Sequence, residues 1–358
     1  MRQFWGWELA TYLFLGGLGG GMLTFAMVLD LIVYPTVATS SILVWGVFIA
    51  LIVLAVGTGL LVFELGQPKY FYRAFVTKTA VIKWGAVLLS ISMIFAVLFI
   101  LWELTWFTMF PFIPYEGMAH FFLIVAGCAG FCVMVYTGTM IASLKGRPFW
   151  ATPALPVLFT VSALSTGAAC LSLCIGVFPF PMDFLQVPFN TIEGSQLCAQ
   201  MKGFLHMCDA VLIVLEVLVL LLYVLLQFCA SNKYAKAIAD RWVRGSWAFL
   251  FWGCMLTGGL IIPFFCNVLG GETVVASVVS PVLALAGGLL LRFMILWSCE
   301  RRLDNGEEKY YTRLPKGANP KAYGNNEFMN YWDEGYQYWT WVNAEPAEAE
   351  AQAATDAE

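Results

Sequence analysis

Eight apolar runs dominate this sequence and set what it can fold into: roughly 7–34, 42–65, 81–106, 117–144, 155–178, 203–230, 246–269 and 273–298. A helix rises 1.5 Å per residue, so about 20 residues cross the hydrocarbon layer of a bilayer, and every run reaches that length. Lipid offers no hydrogen bonds to a backbone, which leaves the helix, with its internally satisfied amides, as the form of each run. Composition agrees. Charged side chains are 12% of the 358 residues and hydrophobic ones 60%, where a soluble domain carries about a quarter charged. The sequence therefore predicts an all-α integral membrane protein with eight transmembrane helices. The first run has Glu8 at its start, no basic leader and no small-residue cleavage site, and reads as a retained span.

Charge divides the chain at its end. Residues 303–358 hold 4 Lys and Arg against 11 Asp and Glu, so they form a soluble C-terminal tail beside a membrane domain over 1–302. Between 303 and 343 this tail is dense in Tyr and Trp, unlike a flexible linker, and reads either as a docking arm or as a segment folded on its own loops. Residues 344–358 are Ala/Glu-rich and read as a disordered tail. No basic cluster suits a nucleic acid. Lys and Arg in the short connections place 14 on one face, from Arg2 through Lys69, Arg73, Arg147 and Arg241 to Arg302, and only Lys202 on the other. Eight crossings put both termini on the first face, which the positive-inside rule makes cytoplasmic. The expected location is the inner (plasma) membrane.

Metal chemistry has little support. The ten cysteines lack the tight C-x2-C spacing of iron–sulfur or zinc sites, and Cys198 with Cys208, in or near the loop 179–202, leaves a disulfide open. The two histidines, His120 and His206, fall near the outer ends of their runs. One haem b between them is open as an alternative; two haems would need four ligands. No catalytic residue and no metal ligand is assigned.

Ionisable groups inside spans carry more meaning, because each costs at least about 2.5 kcal/mol near the bilayer centre unless paired or hydrated. Glu216 lies deepest, and Asp209 and His206 share its helical face. With Arg292 they are proton-transfer candidates, and a structural pairing of Glu216 with a Tyr, a Ser or Arg292 is the plainer reading. At the cytoplasmic ends of the first helices, Trp7, Glu8 and Tyr12 open helix 1, Glu64 and Gln67 close helix 2, and Tyr136 lies late in helix 4. Aromatic rings, hydroxyl donors and a carboxylate suit a quinone, which needs stacking, hydrogen bonds to its oxygens and a proton source. An interfacial aromatic belt with snorkelling charges is the alternative. The glycines at 16, 17, 19, 20 and 21 follow no strand and predict a helix-packing seam.

Five segments in order, W-E-L-A-T-Y-L-F-L-G-G-L-G-G-G (7–21), F-E-L-G-Q-P-K-Y-F (63–71), Y-T-G-T-M-I-A-S-L-K-G-R-P-F-W (136–150), L-F-T-V-S-A-L-S-T-G-A-A (158–169) and D-A-V-L-I-V-L-E (209–216), resemble motifs of the NrfD/polysulfide reductase membrane-subunit family over about residues 5–300. The resemblance implies two four-helix bundles, about 7–144 and 155–300. It implies a membrane anchor of a respiratory oxidoreductase that exchanges electrons between menaquinone or ubiquinone and a peripheral iron–sulfur subunit, ferredoxin-like with four clusters, with associated proton transfer. That partner in turn serves a molybdopterin or multihaem cytochrome catalytic subunit. The anchor itself is expected to hold no haem or iron–sulfur cluster. The quinone pocket falls in the first bundle, with Tyr12 where relatives can carry His and Tyr136 as a phenol from helix 4. Relatives are pictured with their iron–sulfur partner outside the cytoplasm, whereas the Lys/Arg count here puts the corresponding face inside. A secondary transporter or ion channel is the competing function, and L-T-G-G-L-I-I-P (256–263) is the one segment with the Gly/Pro break it would use.

Overall fold

The structure is a computed structural model that describes residues 6–33, 37–64, 81–109, 115–144, 147, 149–177, 192–230, 233–269, 273 and 275–298. Gln67, the side chain of Glu64 and the whole C-terminal arm lie outside the described residues. Nine α-helices are described: α1 (Trp7–Val28), α2 (Val37–Glu64), α3 (Val81–Met109), α4 (Tyr115–Ala142), α5 (Ala154–Val177), α6 (Ile192–Cys229), α7 (Lys233–Val243), α8 (Ile262–Leu269) and α9 (Ser280–Trp297). Wider π-helical turns extend three of them: Leu29–Val33 after α1, Phe249–Ile261 before α8 and Val275–Val279 before α9. No strand occurs among the described residues. Eight helical stretches are long and apolar enough to cross a membrane, as the eight runs predict; the seventh is Phe249–Leu269 and the eighth Ser277–Trp297.

Burial is uneven, and sequence explains why. α1 and α5 are the two spans mostly hidden from the surface, and both are rich in Gly, Ala, Ser and Thr. Small residues let helix backbones approach closely where lipid supplies no hydrophobic drive between helices. A Cβ placed on Gly21 would collide with the carbonyl oxygen of Ala163 in α5, and one on Gly20 would stand 2.5 Å from that of Gly130 in α4. The glycine seam is therefore a contact of α1 with helices on two sides. α1 also packs against α2 and α9, α3 packs on α2 and α4, and α6 packs on α5. The remaining spans turn large apolar side chains outward, such as Ile52, Leu101, Leu218 and Leu225.

Two features differ from the sequence expectation. α6 begins at Ile192 and runs 38 residues, so much of the expected loop 179–202 is helix. Cys198 and Cys208 are ten residues apart on that one helix, about 15 Å along its axis, and both are free thiols, which rules out a bond between them. The expected connection 231–245 contains α7, whose Ala235, Ile238, Ala239 and Trp242 are buried while Lys236 and Asp240 are exposed. That i, i+3, i+4, i+7 pattern is an amphipathic helix at the end of the bundle. Trp242 meets Phe149 at 5.3 Å and Phe251 at 5.8 Å between ring centroids. The same end is tied by polar bonds to the turn after α4: the hydroxyl of Tyr223 and the amide of Gln227 donate to the Phe149 carbonyl at 2.6 and 2.8 Å, and the Trp150 indole donates to that of Ile295 at 2.9 Å.

Candidate functional site

The expected site residues fall into two polar clusters among the described residues. The first is a pair of tyrosines where α1 to α4 converge. Tyr12 is 1% exposed and Tyr136 6% exposed, and the two phenols are close enough to interact electrostatically. Glycines on neighbouring helices make room for them. A Cβ on Gly85 of α3 would overlap the Tyr136 ring, and one on Gly57 of α2 would meet the Tyr12 ring at 3.8 Å. The Tyr136 hydroxyl rests on the Met140 sulfur at 3.2 Å, a weak acceptor. Among the described residues the Tyr12 hydroxyl has no hydrogen-bond partner. A buried donor left unmatched costs about 1–3 kcal/mol, so this hydroxyl marks a place where an added acceptor gains more than a surface contact does.

The other expected members sit around this pair to different degrees. Glu8 is one turn before Tyr12 on the same face of α1, half-buried, its carboxylate turned back beside Gly6. Trp7 is 55% exposed and stands on the outside of α1.

The second site runs through α5, α6 and the seventh and eighth spans. Asp209 is buried and accepts two hydrogen bonds, from the Ser165 hydroxyl at 2.7 Å and the Asn267 amide at 2.7 Å. The Asn267 carbonyl oxygen accepts from the Ser280 hydroxyl at 2.7 Å and lies 3.2 Å from His206 Nδ1. One turn further along α5, Ser162 takes a hydrogen bond from Arg292. Arg292 also donates to the carbonyls of Gly288 at 3.2 Å and Phe159 at 3.1 Å, and its guanidinium covers the Phe159 ring at 4.9 Å. Glu216 lies within reach of the Ser162 hydroxyl and of the Arg292 charge. Glu216 and Arg292 thus share the neighbourhood of Ser162 without a direct ion pair between them among the described residues. A buried acid and a buried base therefore lie in one polar cluster, where opposite charges lower the cost of each inside lipid.

Sequence reasoning found the four charged or titratable members and missed Ser162, Ser165, Asn267 and Ser280. Neutral polar side chains barely lower the hydropathy of a span, so only their helical register with Asp209 and Arg292 marks them. It also left Asp30 and His120 apart. They meet, with His120 Nδ1 2.5 Å from the Asp30 carboxylate, across α1 and α4. Each histidine is therefore engaged through Nδ1 within its own helix pair. Among the described residues no group of three or more His, Cys, Asp or Glu side chains could hold a metal ion.

Residues 1–301 match the family described as "Polysulphide reductase, NrfD". Over 310 residues the sequence is 26% identical to the C subunit of polysulfide reductase from Wolinella succinogenes, covering 82% of this protein and 93% of that one. It is 24% identical over 318 residues to protein NrfD of Escherichia coli, covering 82% and 94%, and 24% identical over 328 residues to the NrfD homolog of Haemophilus influenzae, again covering 82% and 94%. With eight apolar spans, a family match over most of its length and relatives matched nearly end to end, the chain belongs to the NrfD/polysulphide reductase family of membrane subunits of redox complexes.

Proposed function

We propose that the protein is the quinone-reactive membrane subunit of a respiratory oxidoreductase, exchanging electrons between menaquinone or ubiquinone and a peripheral iron–sulfur subunit of ferredoxin-like, four-cluster type. Through that partner it serves a molybdopterin or multihaem cytochrome catalytic subunit. The observation that carries this reading is the buried Tyr12/Tyr136 pair with its unmatched hydroxyl. A quinone carbonyl there accepts from Tyr12, and Tyr136 exchanges its weak sulfur acceptor for an oxygen. Conversion between quinone and quinol moves two electrons and two protons. The electrons pass to or from the iron–sulfur partner, and the protons enter or leave through Glu8, at the aqueous rim one turn away. By their place in the sequence, Trp7, Glu64 and Gln67 are the further quinone-binding candidates.

The second site supplies the associated proton transfer. Asp209 and Glu216 are its titratable stations, and Ser165 and Ser162 lie between them on one face of α5. Arg292 balances Glu216 and reaches the α1 side, where a Cβ on Gly17 would stand 3.8 Å from its nitrogen. His206 meets Asp209 only through the Asn267 amide, which does not titrate, so it stands beside this route and not within it.

Residues 303–343 form the arm that holds the partner. A tagged chain isolated with its neighbours tests the reading: a protein carrying iron–sulfur clusters should co-purify, and its clusters should be reduced by added quinol, read by electron paramagnetic resonance. Deleting 303–358 should release that protein while the membrane domain stays inserted. Isolation of the intact chain without any cluster-bearing protein would contradict the assignment.

A further inference from the structure

A cleft of about 610 Å³ opens between α6 and the seventh span, within the roughly 300–1,000 Å³ of small-ligand sites. Its walls include Ala210, Val214, Phe264 and Val268, and its polar end is formed by His206 and Asn267. Met207 and Val211 on its rim are exposed. Both walls are membrane-crossing helices, so the cleft opens sideways into lipid. It lies in the opposite half of the membrane from Tyr12 and Tyr136, because α6 enters from the face at which α1 ends.

Hydrogen bonding fixes what the polar end offers. The Asp209 carboxylate takes the Asn267 amide N–H at 2.7 Å, which turns Asn267 Oδ1 away from it. That oxygen accepts from Ser280 at 2.7 Å and faces His206 Nδ1 at 3.2 Å. A carbonyl oxygen cannot donate, so Nδ1 carries a proton, and in the neutral imidazole Nε2 is then left as the acceptor. Among the described residues no other hydrogen bond to His206 is formed. The Asn267 amide is already engaged on both sides. A ligand of this cleft therefore has to bring a hydrogen-bond donor, such as a hydroxyl, on an otherwise apolar body.

We propose that this cleft is a second site for membrane quinone, one that binds the reduced, hydroquinone form by a hydrogen bond from its hydroxyl to His206 Nε2. Phe264 gives the head group an aromatic wall, and the opening to lipid passes the isoprenoid tail. An oxidised quinone has only carbonyl acceptors to set against an acceptor, so the site selects the redox state. The inference rests on the reading that the subunit meets quinone, but not on the Tyr12/Tyr136 pocket.

Photolabelling the intact chain with its co-purifying partners in nanodiscs of phosphatidylethanolamine and phosphatidylglycerol tests it. The probe is a naphthohydroquinone with a diazirine-bearing isoprenoid tail, kept reduced, and labelled peptides are located by mass spectrometry. Label is expected on residues 203–215 and 263–268. Unlabelled naphthohydroquinone should displace it at about tenfold lower concentration than the oxidised naphthoquinone, the effect of one lost hydrogen bond. His206→Phe should weaken labelling there about tenfold. Val214→Trp, which fills the cleft from a lipid-exposed wall, should abolish it while label near Tyr12 and Tyr136 persists. Label confined to the α1–α4 peptides would overturn this site and leave the first pocket standing. Equal displacement by both redox forms, or displacement by added phosphatidylglycerol, would overturn it as well. Absence of label throughout the chain would overturn both this site and the quinone reading.

Discussion

Among single residues, the buried charges carry most of the information. Arg292 is 1% exposed and Glu216 3%, in a span where an unpaired charge is expensive. Arg292 donates to Ser162 and to two backbone carbonyls while its Nε has no partner among the described residues, and Glu216 lies close enough to feel its charge. Replacing Arg292 alone by Met strands the Glu216 carboxylate. Breaking a buried pair on one side costs about 3–5 kcal/mol, whereas replacing both members by apolar groups of similar volume is often neutral. Arg292→Met should lower the thermal unfolding temperature of the detergent-solubilised protein strongly, and Glu216→Leu added to it should recover most of the loss while proton-coupled turnover stays low. A single variant as stable as the parent, or a double variant no better than the single, would mean the two charges do not balance one another. Asp30 with His120 is the same kind of arrangement, and 90 positions of sequence separate its members. No reading of one span reveals such a partnership, because it is set by which helices pack together.

At the level of helices, hydropathy made all eight spans readable, since about twenty apolar residues have one outcome in lipid. The elements it missed are those whose signal is not apolar. α7 is eleven residues with Lys233, Lys236, Asp240 and Arg241 among them, and its identity lies in periodicity alone. The start of α6 is masked by Gln196, Gln200 and Lys202, polar residues that a helix accepts readily outside the hydrocarbon. Of the site, the charged residues were legible by their cost and the tyrosines by their chemistry, while Asn267 and the three serines were silent until helix contacts placed them. The glycine seam, by contrast, was legible and is sharply testable. Gly21→Ala drives a methyl into a backbone oxygen that α5 cannot withdraw, whereas Gly59→Ala meets nothing within 4 Å. The first should destabilise by about 1–3 kcal/mol, and the second should be neutral or gain up to about 1 kcal/mol of helix propensity. Thermal unfolding of the two purified variants decides this, and equal behaviour would show that α1 and α5 do not meet as described.

Across the membrane domain as a whole, α1 is the shared element. It packs against α2, α4, α5 and α9, so it bears Tyr12 of one polar site and passes Arg292 of the other, whose nitrogen a Cβ on Gly17 would meet at 3.8 Å. That common helix is the physical basis on which we propose that proton transfer in the second half of the protein is linked to quinone chemistry in the first. From the distribution of Lys and Arg, 13 on one face once the span-buried Arg292 is set aside and Lys202 on the other, we propose that both termini lie in the cytoplasm. A reporter active only outside the cytoplasm, fused after residue 302, should be silent; activity there would reverse the assignment and put the Tyr12/Tyr136 end outside. Everything proposed for the first half depends on these two phenols holding the quinone that the complex oxidises or reduces. The decisive measurement is quinone-dependent electron transfer to or from the iron–sulfur partner in the assembled complex, made on Tyr12→Phe and Tyr136→Phe. Each substitution removes one hydroxyl and little volume, so assembly should be retained and kcat/KM should fall roughly tenfold, the worth of a buried hydrogen bond. Unchanged kcat/KM and unchanged quinone-analogue affinity in both variants and in their double would show that the quinone binds elsewhere.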